Sequence, residues 1–546
     1  MLGPRDFVHV GTYLYVQDFA AYLAAMREGA TTTSWLVHNT FTAEPHDPAF
    51  RFQLYVAAGK LAAWAGASLL TAFAILENLG RIALSVSMYV FLAAFLPEAS
   101  GRRLAFILAM FGGGFAVWEH AISSLLRVES ALGLKASMEY VTFVALFLAP
   151  HLSLGYAAFL LAFVFFIAAL AGSRRALVFL GAAVVALSLL NPFNLPVVLT
   201  TFGLFSVARW VLGSRRQVGT YSPLVVATIC AAPILLIDFV TFRLDPFWNT
   251  AYSSPIVFHS SMPWELPVDF GIVFVLACLG LIATFRPHTA ARVPGPIGQD
   301  VVTTGGTGSA SRWLLIAFLA SAFVWSMDPV FYQIRLLLGF QPALVVFAVI
   351  GWDAACHRLR RLIEGRGTSE ARAAALARRL VTYPTVALAS ATAFTIFLSL
   401  LISLATDTPS AQYRIDPDTY AVGEWFSANT TSDDVVASAP IVGSVLAGMV
   451  NGRVVAGQPI TLHFEEKSAM LISLYRGELS VDQARAFLSA NRVSYVVVGP
   501  GERSIGPMDP GIALHLPVAV RIGNTVAYRV PPGALDAPTE ATPARG

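Results

Sequence analysis

The sequence predicts a polytopic α-helical membrane protein that ends in a small α/β domain. Three observations predict it. Only 13% of the 546 residues are charged, against about 25% in an average soluble domain, and the mean hydropathy is +0.66. Apolar runs approaching the roughly 17–25 residues needed to cross a bilayer recur about ten times along the chain. After residue 405 the pattern changes to helices that alternate with short apolar strands.

The first 66 residues are the most polar part of the membrane half. "YVQDFAAYLAAMREGA" (15–30) carries Phe19, Tyr22, Leu23 and Met26 at helical spacing, the pattern of an amphipathic helix lying on a surface. Asp18 falls in its first turn. A second apolar helix is expected from about residue 49 to 65. Between and within the two lie His38, Glu44, His46, Asp47, Arg51 and Lys60.

Spans are expected near 67–97, 102–121, 153–172, 175–191, 193–212, 222–241, 268–286, 312–328, 334–352 and 381–405. Basic residues mark the cytoplasmic connections. Arg102 and Arg103, Arg174 and Arg175, Arg215 and Arg216, and the loop 356–380 with its seven arginines fall on alternate turns of the chain. The Gly/Thr/Ser stretch 298–312 then reads as a flexible cytoplasmic loop. The opposite connections, 122–152, 191–194, 242–267 and 328–333, are poor in Lys and Arg and face outside. An even number of spans puts residues 1–66 on the same outer side as the tail. Residues 1–14 contain no apolar signal segment, so either one further span stands upstream of Met1, the reading favoured here, or residues 1–48 are carried across by the spans that follow.

In the tail, "DTYAVGEWFSANT" reads as an amphipathic helix and "DDVVAS" as a short strand after a turn. Ser480 caps a helix that leads into a buried strand, Tyr495–Val498. "PVAVRIGNTVAYRV" is a hairpin turning at Gly523 and Asn524. The expected organisation is an outer loop with interfacial helices (1–66), a transmembrane domain of about ten helices (67–405), an outer α/β domain (406–532) and a disordered Pro/Ala-rich end (533–546). No basic stripe interleaved with aromatics is present, which argues against a nucleic-acid partner. Cys230, Cys278 and Cys356 sit in or beside apolar segments without metal-ligand spacing.

A large first outer loop with an acid on an interfacial helix, many spans and an outer α/β tail together resemble the GT-C glycosyltransferases. The likeness is nearer to a bacterial subgroup whose first loop reads roughly D-x-x-x-Y-L-x-x-M-R-x-G, then W-L, then T-x-E-x-H. In this sequence those positions are Asp18, Tyr22, Leu23, Met26, Arg27 and Gly29, then Trp35 and Leu36, then Thr42, Glu44 and His46. "ENLGR" (77–81), "APHLSLG" (149–155), "LNPFN" (190–194) and "YQIRLLLGFQ" (332–341) extend the resemblance along the chain. It implies a multi-pass protein of the bacterial plasma membrane that moves a sugar from a polyprenyl-phosphate donor to a lipid or glycan acceptor at the outer face, in an inverting, hexosyltransferase-type reaction. It also implies a span just before residue 10.

Glycosyl transfer to a hydroxyl needs a base for the acceptor proton, and the resemblance gives that role to Asp18; alone, Asp18 reads equally as an acid favoured by the helix dipole. Its neighbour is Gln17, so no carboxylate pair is formed there. The leaving lipid phosphate needs cations or N–H donors. The candidates are Arg335, His151, Lys60 and Arg51, with Arg81, Glu44 and His46 as further substrate contacts. Arg81 has an alternative as the i,i+4 ion-pair partner of Glu77, and Arg335 and Lys60 have one as interfacial snorkelling cations. His38, Glu44 and His46 are irregularly spaced for a metal, so no cofactor is expected beyond the lipid-linked donor. The competing reading is a non-catalytic scaffold or a transporter of lipid-linked intermediates. No internal repeat of the transporter kind is found.

Overall fold

The computed structural model describes residues 16–126, 137–212, 221–252, 262–285, 307–327, 333–405 and 416–533. The expectations for residues 1–14, for Arg215 and Arg216, for 298–306, for the outer connection 328–332 and for the end 534–546 lie outside the described residues.

The membrane half is helical throughout. Two short helices, α1 (Val16–Thr31) and α2 (Gln53–Ala65), precede α3 (Leu69–Phe95), α4 (Ala99–Phe111), α5 (Ala116–Leu126), α6 (Pro150–Leu170), α7 (Arg174–Leu190) and α8 (Leu195–Leu212). Then follow α9 (Ser222–Phe239), α10 (Pro246–Tyr252), α11 (Leu266–Thr284), α12 (Thr307–Ser326), α13 (Phe340–Glu364) and α14 (Glu370–Ala405). Every expected span coincides with one of these helices. Among the described residues, seven helices are long and apolar enough to cross a membrane, or eight if the bent pair α4–α5 is one span, beside the roughly ten spans expected. Helix α7 has 17 residues, and the apolar part of α12 runs only from Arg312 to Ser326. Helix α12 itself begins at Thr307, inside the stretch expected to be loop.

The bend in α4–α5, 58°, has a local cause. Gly112, Gly113 and Gly114 interrupt the helix, and a Cβ on Gly114 would lie 2.2 Å from the Val268 carbonyl oxygen. The Phe115 amide donates to that same carbonyl at 2.6 Å. Backbone therefore meets backbone where side chains would hold two helices apart.

The chain divides into two compact units. One contains the start of the chain as far as Ile75, the segment Ile237–Ser254 and the tail from Leu404; the other contains Leu76–Leu236 and Pro255–Ser403. In the first unit α1 and α2 pack without room for a methyl group between them. A Cβ on Gly59 would lie 1.8 Å from the Met26 carbonyl oxygen, and one on Gly29 would lie 2.3 Å from that of Val56. Phe19, Tyr22 and Met26 are buried as their spacing predicts. Tyr22 stacks on Tyr55 with centroids 4.4 Å apart, and Phe19 meets Phe73 edge-on at 4.7 Å.

The tail opens with α15 (Pro417–Asn429) and builds a five-stranded sheet from β1 (Val435–Ala437), β2 (Arg453–Val454), β3 (Tyr495–Val498), β4 (Val518–Ile522) and β5 (Thr525–Arg529), in the order β2-β1-β3-β5-β4. Strand β1 is parallel to β2 and β3; β5 is antiparallel to β3 and β4. All four residues of β3 are buried, as a continuous apolar run requires. Ser480 and Gln483 form a reciprocal capping box on the helix Val481–Ala490. The hairpin β4–β5 turns at Gly523 and Asn524 where the sequence places it.

Gly59→Leu is expected to destabilise the first unit by about 1–3 kcal/mol or more through overpacking. Gly203→Ala, on α8 with open space around it, is expected to be neutral. Thermal unfolding of the detergent-solubilised chain checks this; an unchanged melting temperature for Gly59→Leu would contradict the packing described.

Candidate functional site

Polar chemistry collects in two places, one in each unit. In the first unit the loop between α1 and α2 is stitched to the tail. The Val454 amide donates to the Thr40 carbonyl at 2.9 Å, so the loop runs along β2, the edge of the sheet. Asn39 donates to the Ile460 carbonyl at 2.8 Å, and the Thr461 hydroxyl to that of Phe41 at 2.6 Å. The Lys467 ammonium lies 2.6 Å from the Glu44 carboxylate, which also accepts from the Thr42 hydroxyl. Burial pushes the Glu44 carboxyl up, but the bonds from Lys467 and Thr42 outweigh it and hold it below its ordinary value. Burial in turn lowers Lys467.

His46 sits flat on Phe247, with centroids 4.0 Å apart, and edge-on to Trp248. Its Nε2 accepts from the Asn39 amide at 2.8 Å and its Nδ1 lies 2.9 Å from the Glu44 carbonyl. A backbone N–H can only donate, so the ring is neutral with its proton on Nδ1. Arg51 lies among aromatic faces, with its guanidinium carbon 4.0 Å from the Phe52 ring, 4.7 Å from Tyr252 and 5.3 Å from Trp248. This is a cation–π arrangement. Burial lowers Arg51 and raises Tyr252 from their ordinary values. Trp248 belongs to α10, whose first turn is capped by Asp245, and its indole donates to the Asp47 carbonyl at 3.0 Å. Lys60 donates to the Thr32 carbonyl at 2.8 Å and lies over Trp35. Glu44, His46, Arg51 and Lys60 thus brace the loop from within. Asp18 is exposed in the first turn of α1.

The second unit holds Arg81, His151 and Arg335. Glu139, fully buried, accepts from Nη1 of Arg335 at 2.9 Å, and its other carboxylate oxygen is buried with no hydrogen-bond partner. Arg335 lies in the single turn of 3-10 helix Gln333–Leu337 that leads into α13, and His151, in the first turn of α6, is within its electrostatic reach. The turn Pro192–Asn194 packs against the Arg335 turn. There Asn194 is 0% exposed and neither end of its amide has a hydrogen-bond partner. Gln341 is spent internally, donating to the Gly112 carbonyl at 2.7 Å. Arg81 pairs with Glu77 at 3.2 Å and donates to the Leu146 carbonyl at 2.7 Å, so it both compensates a buried acid and holds the turn Thr142–Leu146.

Sequence analysis singles out Arg335 and His151 but does not connect Glu139 with Arg335. A lone acid in an outer loop carries no local signal of its partner 196 residues later. Lys467, in a tail helix, was missed for the same reason. Among the described residues no group of three His, Cys, Asp or Glu side chains is placed to hold a metal ion.

No protein-family model matches the chain, and no curated protein matches it. Its structure is similar to ArnT from Cupriavidus metallidurans, with 13% identity and a TM-score of 0.47 over 96% of this chain and 94% of that one. It is also similar to the Archaeoglobus fulgidus oligosaccharyltransferase, at 13% identity and a TM-score of 0.44 over 91% of this chain. The third likeness is to the arabinofuranosyltransferase AftD from Mycobacteria, at 15% and 0.42 over 90%. The chain spans 67% of the length of the oligosaccharyltransferase and 35% of AftD. With TM-scores below 0.5 these likenesses accompany the fold class, which the chain's own helices and sheet establish.

Burial holds His46 below its ordinary value of 6.5. The unfolded chain therefore takes up a proton that the folded chain refuses. Stability present above pH 6.5 is lost as pH falls towards the folded value. Melting temperatures of the purified chain are expected to fall between pH 7 and pH 5, and His46→Gln is expected to flatten that slope. An equal slope in the variant would remove His46 from the joint.

Proposed function

We propose that this chain is a membrane glycosyltransferase that moves a sugar from a polyprenyl-phosphate-linked donor to a lipid or glycan acceptor at the outer face of the bacterial plasma membrane. The observation that carries the reading is the Glu139–Arg335 pair at one end of an apolar helical unit, beside the unpartnered amide of Asn194. Ionisable groups inside membrane helices are costly and are by default functional. An anionic group that also carries hydroxyls, as a sugar phosphate does, offers acceptors to an arginine fork and both donors and acceptors to an amide.

In this reading Arg335, positioned by Glu139 and assisted by His151, binds the donor phosphate and stabilises it as it leaves. The acceptor oxygen attacks the anomeric carbon, the bond from that carbon to the phosphate oxygen breaks with its electron pair going to the phosphate, and a carboxylate base takes the acceptor proton, the role that the first-loop resemblance gives to Asp18. Attack opposite the leaving group gives inversion. Asp18 suits the role because its carboxylate is exposed on a helix whose remainder is locked against α2. The tail and first loop lie on the outer side, as the arginine-rich connection 356–380 requires. The scaffold reading shares this fold and is separated from the enzyme by turnover alone.

Asp18→Asn keeps size and helix geometry and is expected to slow transfer by about 100- to 10,000-fold with donor binding near wild type. Arg335→Ala is expected to weaken donor binding by about ten- to a hundred-fold, the loss of a charge-assisted contact. Transfer assays with purified chain and a polyprenyl-phosphate sugar decide between them. A wild-type rate in Asp18→Asn removes the base assignment.

A further inference from the structure

The first unit contains a second feature that the proposed reaction does not use. A groove of about 240 Å³ opens between α1, the start of α3 and the tail. Its walls are Phe19, Leu23, Leu69, Leu70 and Met449, and its polar end carries Arg27. Tyr420, Glu424 and Ser427 of α15 line the rim.

Arg27 is an unusual wall residue. Its Nη1 donates to the Val450 carbonyl at 3.0 Å, and among the described residues no carboxylate lies within ion-pair distance of it. Burial drives its pKa down to about 10, with the Tyr420 hydroxyl the group that acts against this. Buried charges in proteins are paired or bind a ligand. Glu424 is exposed and interacts with Tyr420, so it does not neutralise Arg27.

The groove also has a defined depth relative to a bilayer. Leu69 and Leu70 are the first residues of α3, a 27-residue helix apolar enough to span. Just before them, on α2, Trp64 is 87% exposed and Leu61 63% exposed. Exposed Trp beside the start of a span marks the headgroup level of a membrane. The groove therefore adjoins the start of a span, and its lining combines apolar side chains with the Arg27 guanidinium.

From this geometry we propose that the groove holds the phosphate-bearing head group of a membrane lipid, with its phosphate on Arg27 and the first part of its chains on Leu23, Leu69, Leu70 and Met449. The rim hydroxyls of Tyr420 and Ser427, with the Glu424 carboxylate, take the alcohol or amine beyond the phosphate. The bound lipid supplies the counter-charge that the protein does not. It also fixes the tail against the first turn of α3 on the bilayer side.

The test is native mass spectrometry of the full chain in detergent, titrated with phosphatidylglycerol, with a diacylglycerol of the same chains, and with inorganic phosphate alone. Wild type is expected to retain one phosphatidylglycerol and neither control. Arg27→Gln and the groove-filling Leu23→Trp are each expected to lower retention about ten-fold, whereas Arg27→Lys stays within about three-fold. Leu23→Trp leaves the Arg27–Val450 bond intact, so it decides the matter if Arg27→Gln does not fold. Wild-type retention by either folded variant overturns the proposal. So does equal binding of diacylglycerol, which would make the groove a plain apolar slot, or of inorganic phosphate, which would make it an ion site. Because Asp18 and Arg335 are untouched, failure here leaves the transferase reading standing.

Discussion

A carboxylate with no solvent exposure sets the terms for the helical unit. Removing Glu139 from water costs several kcal/mol unless a cation compensates it, and Arg335 does so through a 2.9 Å contact. The pair fixes the turn Gln333–Leu337 and with it the start of α13. A structural ion pair of this kind is easily replaced by apolar side chains of similar volume without loss of stability. Its presence beside an amide with no partner is better explained by binding than by folding. That reasoning also separates Arg335 from Arg81. The Arg81 side chain answers the buried Glu77 and a backbone carbonyl on the spot.

The first unit solves a different problem. A short strand at a sheet edge exposes unpaired backbone groups, and β2 has only two residues. The outer loop covers that edge through Thr40 and Thr42, while the Glu44–Lys467 pair and the Asn39 and Thr461 bonds close the seam. Residues some 420 positions apart in sequence therefore form one body. The polar residues of the loop serve this joint. Asp18 and Arg27 lie on the helix that packs against α2.

Most of the fold was legible in the sequence, because each element had a local cause. The periodicity of Phe19, Tyr22 and Met26, the cap at Ser480, the run Tyr495–Val498 and the Gly523–Asn524 turn each report on neighbours within a few residues. The count of spans was less legible. Hydropathy does not register that Gly112–Gly114 bends one apolar run. The candidate site was legible only in part. The types and approximate positions of Arg335, His151 and Asp18 stood out against an apolar background. The contacts of Glu44, His46 and Arg51 did not, since Lys467, Phe247 and Trp248 reach them across 200 or more residues. No pattern in one sequence connects such partners. The half-buried cation at Arg27 was hidden in the same way, since part of its environment is made by the tail.

The most direct test of lipid-phosphate recognition is a cryo-EM map of the chain with a polyprenyl phosphate bound. Phosphate density is expected within hydrogen-bonding distance of the Arg335 guanidinium, with Glu139 still holding its Nη1. A phosphate resolved elsewhere, with the surroundings of Arg335 unchanged from the ligand-free chain, would contradict the account.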